Sequence, residues 1–250
     1  MQQTALITGA TSGIGKATAI EFANQGHSLI ICGRRKNKLV ELEKELSKFT
    51  KIKILEFDIR NKQEVKNSIQ SLTDEWKNID VLINNAGNAH GLSSFDNGDI
   101  IDWDTMIDGN VKGLLYVSKS IIPQMIERKT GHIINLSSIA GKETYANGTV
   151  YCASKRAVEA ISQGMRLDLT KHGIKITNIA PGAVSTEFSE VRFKGDKERA
   201  KKVYEGYIPL FAKDVADLIS YTVNASDSVT IADVTIYPKA QSAPTVIHKN

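Results

Sequence analysis

Tyr151 and Lys155 stand four residues apart in "VYCASKRAV", residues 150–158. On a helix that spacing puts both side chains on one face. Taken alone, such a pair reads as a solvated helix surface. It also has the makings of an acid/base catalyst. A free phenol titrates at about 10, too high for a base near neutrality. A cation close by favours the phenolate and lowers that value, and Lys155 is placed to be that cation. Ser138, in "NLSSIAG", falls just beyond an expected strand end. A hydroxyl there can donate to a carbonyl oxygen as charge develops on it. Ser137 is the alternative donor. Acid, cation and donor together suit proton transfer at a carbonyl or hydroxyl group.

That chemistry needs a hydride partner, and "TGATSGIG", residues 8–15, offers a place for one. Gly9, Gly13 and Gly15 follow an apolar run and open a helix-like pattern. Glycine allows the tight turn and lets the backbone approach a pyrophosphate. The helix-start N–H groups then face the anion. A plain strand–helix turn is the bland alternative. The second expected strand, "LIICGRR", decides which dinucleotide. An NAD site wants an acidic side chain at its end. Here that position is Gly33, followed by Arg34 and Arg35. Arginine accommodates a 2′-phosphate through charge-assisted hydrogen bonds, so NADP(H) is expected. Surface charge is the competing reading of the two arginines.

The elements that must carry these residues alternate along the chain. "TALITGA" and "SLIICG" are short apolar runs of buried-strand type, and "KIKILEFDI", "DVLINNAG", "GHIINLSSIAG" and "IKITNIAPG" contain further strands. Between them lie helical periodicities, such as Leu39, Leu42 and Leu46 in "KNKLVELEKELSKF". "WDTMIDGNVKGLLYVSKSIIPQMIER" is a long helix with an Asn-Val-Lys-Gly interruption, and a last strand is expected within "SVTIADVTIYP". Strand–helix alternation means βαβ units and a parallel sheet. The expected fold class is therefore α/β, a Rossmann-type doubly wound parallel sheet with helices on both faces. One domain over 1–250 is expected, since no repeat or linker interrupts the 250 residues.

Composition excludes other classes. The chain is 41% hydrophobic and 24% charged, as soluble globular proteins are. No apolar run reaches membrane-spanning length, and "MQQTALITGA" lacks the basic and apolar regions of a signal peptide. Two cysteines, Cys32 and Cys152, cannot form a disulfide framework. A cytoplasmic location with free thiols is expected. No Cys/His cluster has metal-ligand spacing, so no metal is expected. The net charge of +4 is not gathered on a patch: the densest basic stretch, residues 36–53, also holds Glu41, Glu43 and Glu45. No nucleic-acid or membrane partner is expected.

These motifs, in this order, resemble the classical short-chain dehydrogenase/reductase family along the whole chain. The resemblance implies cofactor contacts at Gly9, Thr11, Ser12, Gly13, Ile14 and Gly15 of "TGATSGIG". It implies others at Arg34, Arg35, and Asp58 and Ile59 of "FDI", Asp58 being the family's adenine-contacting acid. Asn85, Ala86 and Gly87 fall in "NNAG", and Pro181, Gly182, Val184 and Thr186 in the "PGAVST" loop at the nicotinamide end. Tyr151 and Lys155 match the acid and its ribose-bonding lysine. Asn110, in "GNVKG", matches the residue that holds a water passing protons to Lys155. The family is usually tetrameric, which implies a homotetramer.

A closer likeness involves "APGAVSTEF", "TEFSEVRFKGD" and "DVADLI…TIADVTIYP". They look like the NADP-dependent 3-hydroxy acid dehydrogenases, which act on substrates such as serine, allo-threonine or 3-hydroxypropionate. The 3-oxoacyl carrier-protein reductases usually end in a Val-Asp-Gly-Gly-like motif, where this chain has "ADVTIYPKAQ". A broad carbonyl reductase for neutral ketones or aldehydes is the alternative enzyme, and a non-catalytic NADP(H) sensor the alternative class. Such sensors usually lose the tyrosine or the lysine, and both are present here. Ser138 and Tyr151 are expected to touch the substrate. A carboxylate also wants an arginine, and Arg192 is the candidate. It lies in a charged segment, about 186–207, that reads as a substrate lid or as an exposed helix pair. Its alternative is an ion pair with Glu187 or Glu190. His90 reads as a substrate-mouth residue or a plain loop histidine, at a position where relatives are usually aliphatic. Cys152 and Cys32 read as packing residues. The tail "QSAPTVIHKN" shows no periodicity. It reads either as a contact with a neighbouring subunit or as disorder.

Overall fold

The computed structural model describes residues 2–249, apart from the side chain of Asp74. The apolar runs form the strands of one sheet: β1 (Thr4–Thr8), β2 (Ser28–Gly33), β3 (Ile52–Glu56), β4 (Val81–Asn84), β5 (Gly131–Leu136) and β6 (Ile174–Pro181). Two-residue strands β7 (Val184–Ser185) and β8 (Leu210–Phe211) pair separately, and β9 (Asp233–Ile236) completes the main sheet. Every residue of β4 and β5 is buried. A strand covered on both faces has no reason to alternate polar with apolar, which is why these runs are continuous.

The seven strands lie in the order β3-β2-β1-β4-β5-β6-β9, all pairs parallel. The order reverses between β1 and β4. In open parallel sheets that switch point, at the strand C-terminal ends, is where ligands bind. Helices cover both faces. α1 (Gly13–Asn24), α2 (Lys36–Leu46) and α10 (Ala212–Val223) enclose one core layer around Ile7, Phe22, Ile31 and Ile219. α3 (Lys62–Gln70), α5 (Leu114–Arg128) and α7 (Thr149–Leu169) enclose the other around Leu6, Leu82, Ile121 and Ile176.

The interruption expected in the long helix is a π-helical turn. α4 (Ile100–Ile107) runs into π geometry over Asp108–Gly113 before α5 begins. Gly113 is required there, because a Cβ would stand 2.7 Å from the Ile59 side chain. Such π-bulges are frequent at functional sites, and this one carries Asn110. After β5 a single turn, α6 (Ile139–Lys142), starts at Ser138, whose Oγ accepts from Ala140 N at 3.1 Å. The charged segment forms α8 (Phe188–Arg192) and α9 (Lys197–Lys202). The tail corrects the expectation of disorder. It folds on its own chain as an antiparallel hairpin of β10 (Gln241–Ala243) and β11 (Val246–Ile247). Buried Gln241 anchors it, accepting from Ala183 N at 2.8 Å.

Candidate active site

The switch point opens into a cleft of about 740 Å³. Its floor is the β1–α1 turn. Gly9 has φ +66° and faces Ala86, whose Cα would stand 3.0 Å from an added Cβ. Gly13 has φ +53° and faces Thr186 across the groove. Both line the cleft with Thr11, Ser12 and Ile14. Gly15 sits behind the turn, not on the cleft wall. A Cβ there would stand 2.4 Å from both Gly9 O and Asn85 Nδ2. Gly15 therefore lets the helix close on the turn. Asn85 fastens the same turn, donating from Nδ2 to Thr8 O at 2.8 Å. Thr8, unremarked in the sequence, accepts on Oγ1 from the backbone of Asn85 and Ala86. Gly15→Ala is expected to overpack this contact by about 1–3 kcal/mol, lowering Tm by a few degrees and weakening NADPH binding. Thermal melts and fluorescence titration of NADPH check it.

At the end of β2 the two arginines part company. Arg35 donates to Thr11 Oγ1 and Ser12 Oγ, both at 2.8 Å, and pairs with Glu187 at 2.9 Å. Lys38 holds the other Glu187 oxygen at 3.1 Å. Hydrogen bonds from Arg35 lead the effects that hold the Glu187 carboxyl below its usual range, against burial. Arg34 reaches Asp58 at 3.5 Å, and Arg60 binds Asp58 through both carboxylate oxygens. Burial pushes the Asp58 carboxyl up, but the hydrogen bonds and charge of Arg60, helped by Arg34, hold it lower than usual. Arg34, Arg35 and Ile59 line the cleft; the Asp58 carboxylate is instead turned to its arginines.

Tyr151 and Lys155 come from the first turns of α7 and reach the cleft together, with Ser138 and Gly87. Lys155 Nζ donates to Leu136 O at 2.9 Å. Burial pushes its amine down to about 8, with Glu159 opposing. With protein groups alone around it, the Tyr151 phenol lies above the usual tyrosine value. Burial is the main cause, since the ring packs on Phe188 at 5.7 Å among Ala89, Met106, Ala140 and Cys152. The Ser138 hydroxyl and the Arg192 guanidinium pull the other way. Ser137 is not free to act as the donor, because its Oγ bonds Lys155 O at 3.2 Å. Asn110 is buried behind the cleft. It exchanges two 2.8 Å hydrogen bonds with the Asn88 backbone and donates to Ser154 Oγ at 3.0 Å. Gly87 separates it from Lys155: a Cβ on Gly87 would meet Asn110 Oδ1 at 2.8 Å and Lys155 Nζ at 3.5 Å. Cys32 and Cys152 are buried and free, as packing residues are.

The loop after β6 supplies Pro181, Gly182, Val184 and Thr186 to the opposite wall. Arg192 follows it, at the end of α8. Its expected alternative, an ion pair with Glu187 or Glu190, does not form, since Glu187 is held by Arg35 and Lys38. Arg192 Nε donates to Gly91 O at 3.2 Å. Its guanidinium carbon stands 5.7 Å and 5.6 Å from the ring centres of Tyr145 and Tyr151. Its Nη2 is buried with no hydrogen bond of good geometry among the described residues. Burial pushes the Tyr145 phenol up, and the guanidinium's charge and weak bonding to it only partly offset that. Tyr145 and the tail residues Pro244, Thr245 and Ile247 also line the cleft. Neither was singled out in the sequence, and nothing local signals them. Among the described residues no cluster could hold a metal ion, and no helix is long and apolar enough to cross a membrane.

The chain is similar to known proteins over most of its length. The sequence pattern of the short chain dehydrogenases matches residues 3–197. The NADP-dependent 3-hydroxy acid dehydrogenase YdfG of Escherichia coli (strain K12) is 42% identical over 238 residues, 95% of each chain. Sulfoacetaldehyde reductase 2 of Chromohalobacter salexigens is 40% identical over 97% of this chain and 96% of its own. Among solved structures, the closed form of serine dehydrogenase complexed with NADP+ superposes with a TM-score of 0.93 at 40% identity. It covers 99% of this chain and all (100%) of the other.

Proposed function

The chain belongs to the short-chain dehydrogenase family, and from that premise we propose that it moves a hydride reversibly between NADP(H) and the hydroxyl carbon of a small 3-hydroxy acid. Serine, allo-threonine and 3-hydroxypropionate are substrates of this kind. One observation carries the reading beyond the family: the Arg192 guanidinium lies over the Tyr151 ring with a buried, unpartnered Nη2. A cation so close to the acid suits a substrate whose carboxylate is only two carbons from its hydroxyl group. A neutral ketone leaves that nitrogen unmatched.

The glycine turn and the Arg35 side chain fit a dinucleotide phosphate, the first by its lack of Cβ atoms and the second by its charge. Bound there, NADP+ supplies the hydride acceptor. Gly9, Thr11, Ser12, Gly13 and Ile14 would hold its pyrophosphate, and Arg34 and Arg35 its 2′-phosphate. Ile59, Asn85, Ala86 and Gly87 would line the nucleotide path, with Asp58 steering Arg34 and Arg60. Pro181, Gly182, Val184 and Thr186 would hold the nicotinamide end. Tyr151 takes the substrate hydroxyl proton as the C–H hydride leaves, and returns it in reduction. Ser138 donates to the same oxygen. Lys155 supports the phenolate, and Asn110 fixes the Asn88 and Ser154 frame behind it. The segment 186–207 acts as a lid on one catalytic domain, 1–250. Leu115 of α5 and Leu167 of α7 are exposed, which supports a homotetramer joined by these long helices. The unbridged thiols of Cys32 and Cys152 support a cytoplasmic setting.

The test is a dehydrogenase screen with NADP+ and NAD+ against 3-hydroxy acids and neutral alcohols, with sulfoacetaldehyde in the reductive direction. Turnover of 3-hydroxy acids with NADP+ is expected. Arg192→Ala should raise KM for them about tenfold, the usual cost of a lost charged hydrogen bond. Faster turnover of neutral alcohols, or an unchanged KM, overturns the reading.

A further inference from the structure

The loop after β4 brings a second unmatched nitrogen to the mouth of the cleft. His90 Nε2 is buried without a protein partner among the described residues, as Arg192 Nη2 is. The two side chains line the same mouth with Leu92 and Tyr151. They are held in register by a backbone clasp. Gly91 N donates to Arg192 O at 2.9 Å, and Arg192 Nε donates back to Gly91 O at 3.2 Å. The loop rests on Asp102 of α4, whose Oδ2 would stand 2.9 Å from a Cβ on Gly91. Lys194 reaches the same Asp102 oxygen at 3.0 Å. Lys194 also reaches Asp99 at 3.5 Å, so it offsets part of the negative charge of the two carboxylates at the mouth, and the Arg192 guanidinium adds the second cation there.

An unpartnered ring nitrogen is not by itself a ligand site: His132 bonds Thr177 Oγ1 through Nε2 at 2.8 Å and still leaves Nδ1 without a partner inside the sheet. What sets His90 apart among the described residues is its place on the wall of the cleft, where His132 does not reach. His90 Nε2 is desolvated and unmatched, which costs stability unless a ligand group meets it. Two such nitrogens, on segments clasped together, present a pair of donors to one planar group with two oxygens. We propose that His90 is the second anchor of the substrate carboxylate, donating from Nε2 to one oxygen while Arg192 Nη2 serves the other. The assignment rests on the 3-hydroxy acid reading above and names a specificity residue for it.

The experiment measures KM and kcat with NADP+ for 3-hydroxypropionate and for serine, in wild type, His90→Leu and His90→Gln. His90→Leu should raise KM about tenfold for both acids, with a much smaller fall in kcat. His90→Gln, which keeps an N–H at similar reach, should recover most of the loss. The NADPH dissociation constant, read by fluorescence, should not move, which separates a lost contact from a damaged fold. A KM indifferent to His90→Leu overturns the assignment. So does a rise on serine alone, because the partner is then the 2-amino group, which 3-hydroxypropionate lacks. Absence of wild-type turnover on either acid overturns the underlying reading and this assignment with it.

Discussion

Tyr151→Phe is expected to lower kcat by roughly 10²–10⁴-fold, the span that a positioned general acid or base contributes. The change removes one oxygen and keeps the ring. The ring is what the fold uses: it packs on Phe188 and carries the Arg192 guanidinium on its face. Tm and NADPH affinity should therefore stay close to wild type while turnover collapses. Burial holds the phenol above its ordinary value in this structure, so near neutrality it is a proton donor, as carbonyl reduction needs. Oxidation needs the phenolate, which Lys155 and the positive nicotinamide ring of bound NADP+ favour. The variant cannot shift the equilibrium between substrates and products, so kcat/KM must fall by the same factor in both directions. Stopped-flow and steady-state rates in both directions check this. A loss under about tenfold would assign the proton to another group.

The same residue shows where sequence ceases to be informative. Helical spacing says only that it shares a helix face with Lys155; the glycine turn and Ser138 made the pair a catalytic candidate, and α7 delivers both to the cleft. The direction of its pKa does not follow, because it depends on burial among Ala89, Met106, Ala140 and Phe188, which come from distant segments. Gly9 and Gly13 were legible as a tight glycine turn, since positive φ and close backbone approach leave a glycine signature. Gly15 carries the same signature for a different reason, contact with Gly9 O and Asn85. The central strands were legible because parallel strands buried on both faces announce themselves as apolar runs; the edge strands β3 and β9, where exposed residues alternate with buried or half-buried ones, carry a weaker signal. The tail hairpin was not legible. Only two short strands form, and their anchor, Gln241 on Ala183, joins residues far apart in the chain. Arg192 was legible as a candidate, but its aim was not: its Gly91 contact spans 101 residues. Glu187 went unmarked as a partner for Arg35 for the same reason, the two being 152 residues apart.

Neutralising Arg35, as in Arg35→Leu, is expected to weaken NADP+ binding by roughly 10–100-fold and leave NAD+ binding nearly unchanged. The 2′-phosphate offers charged hydrogen bonds worth about 1.5–3 kcal/mol, and only NADP+ carries it. Arg35 is well aimed for that task, because Thr11 and Ser12 already hold its guanidinium at the lip of the turn. A competing contact trims the gain. Glu187 occupies Arg35 and Lys38 at 2.9 Å and 3.1 Å, so an arriving phosphate has to share or displace a carboxylate. The competing pair is more than two-fifths exposed on both sides, and exposed pairs contribute only about 0–1 kcal/mol. The phosphate therefore wins, and preference for NADP+ survives. Removing the competitor should act in the opposite direction: Glu187→Gln is expected to tighten NADP+ a few-fold, by up to about 1 kcal/mol, with no effect on NAD+. In the Arg35→Leu background that gain should shrink, because Glu187 then competes only through Lys38. Titration of both cofactors into the four proteins, at two salt concentrations, measures the coupling. If Arg35→Leu weakens NADP+ and NAD+ alike, Arg35 serves the turn and not the 2′-phosphate.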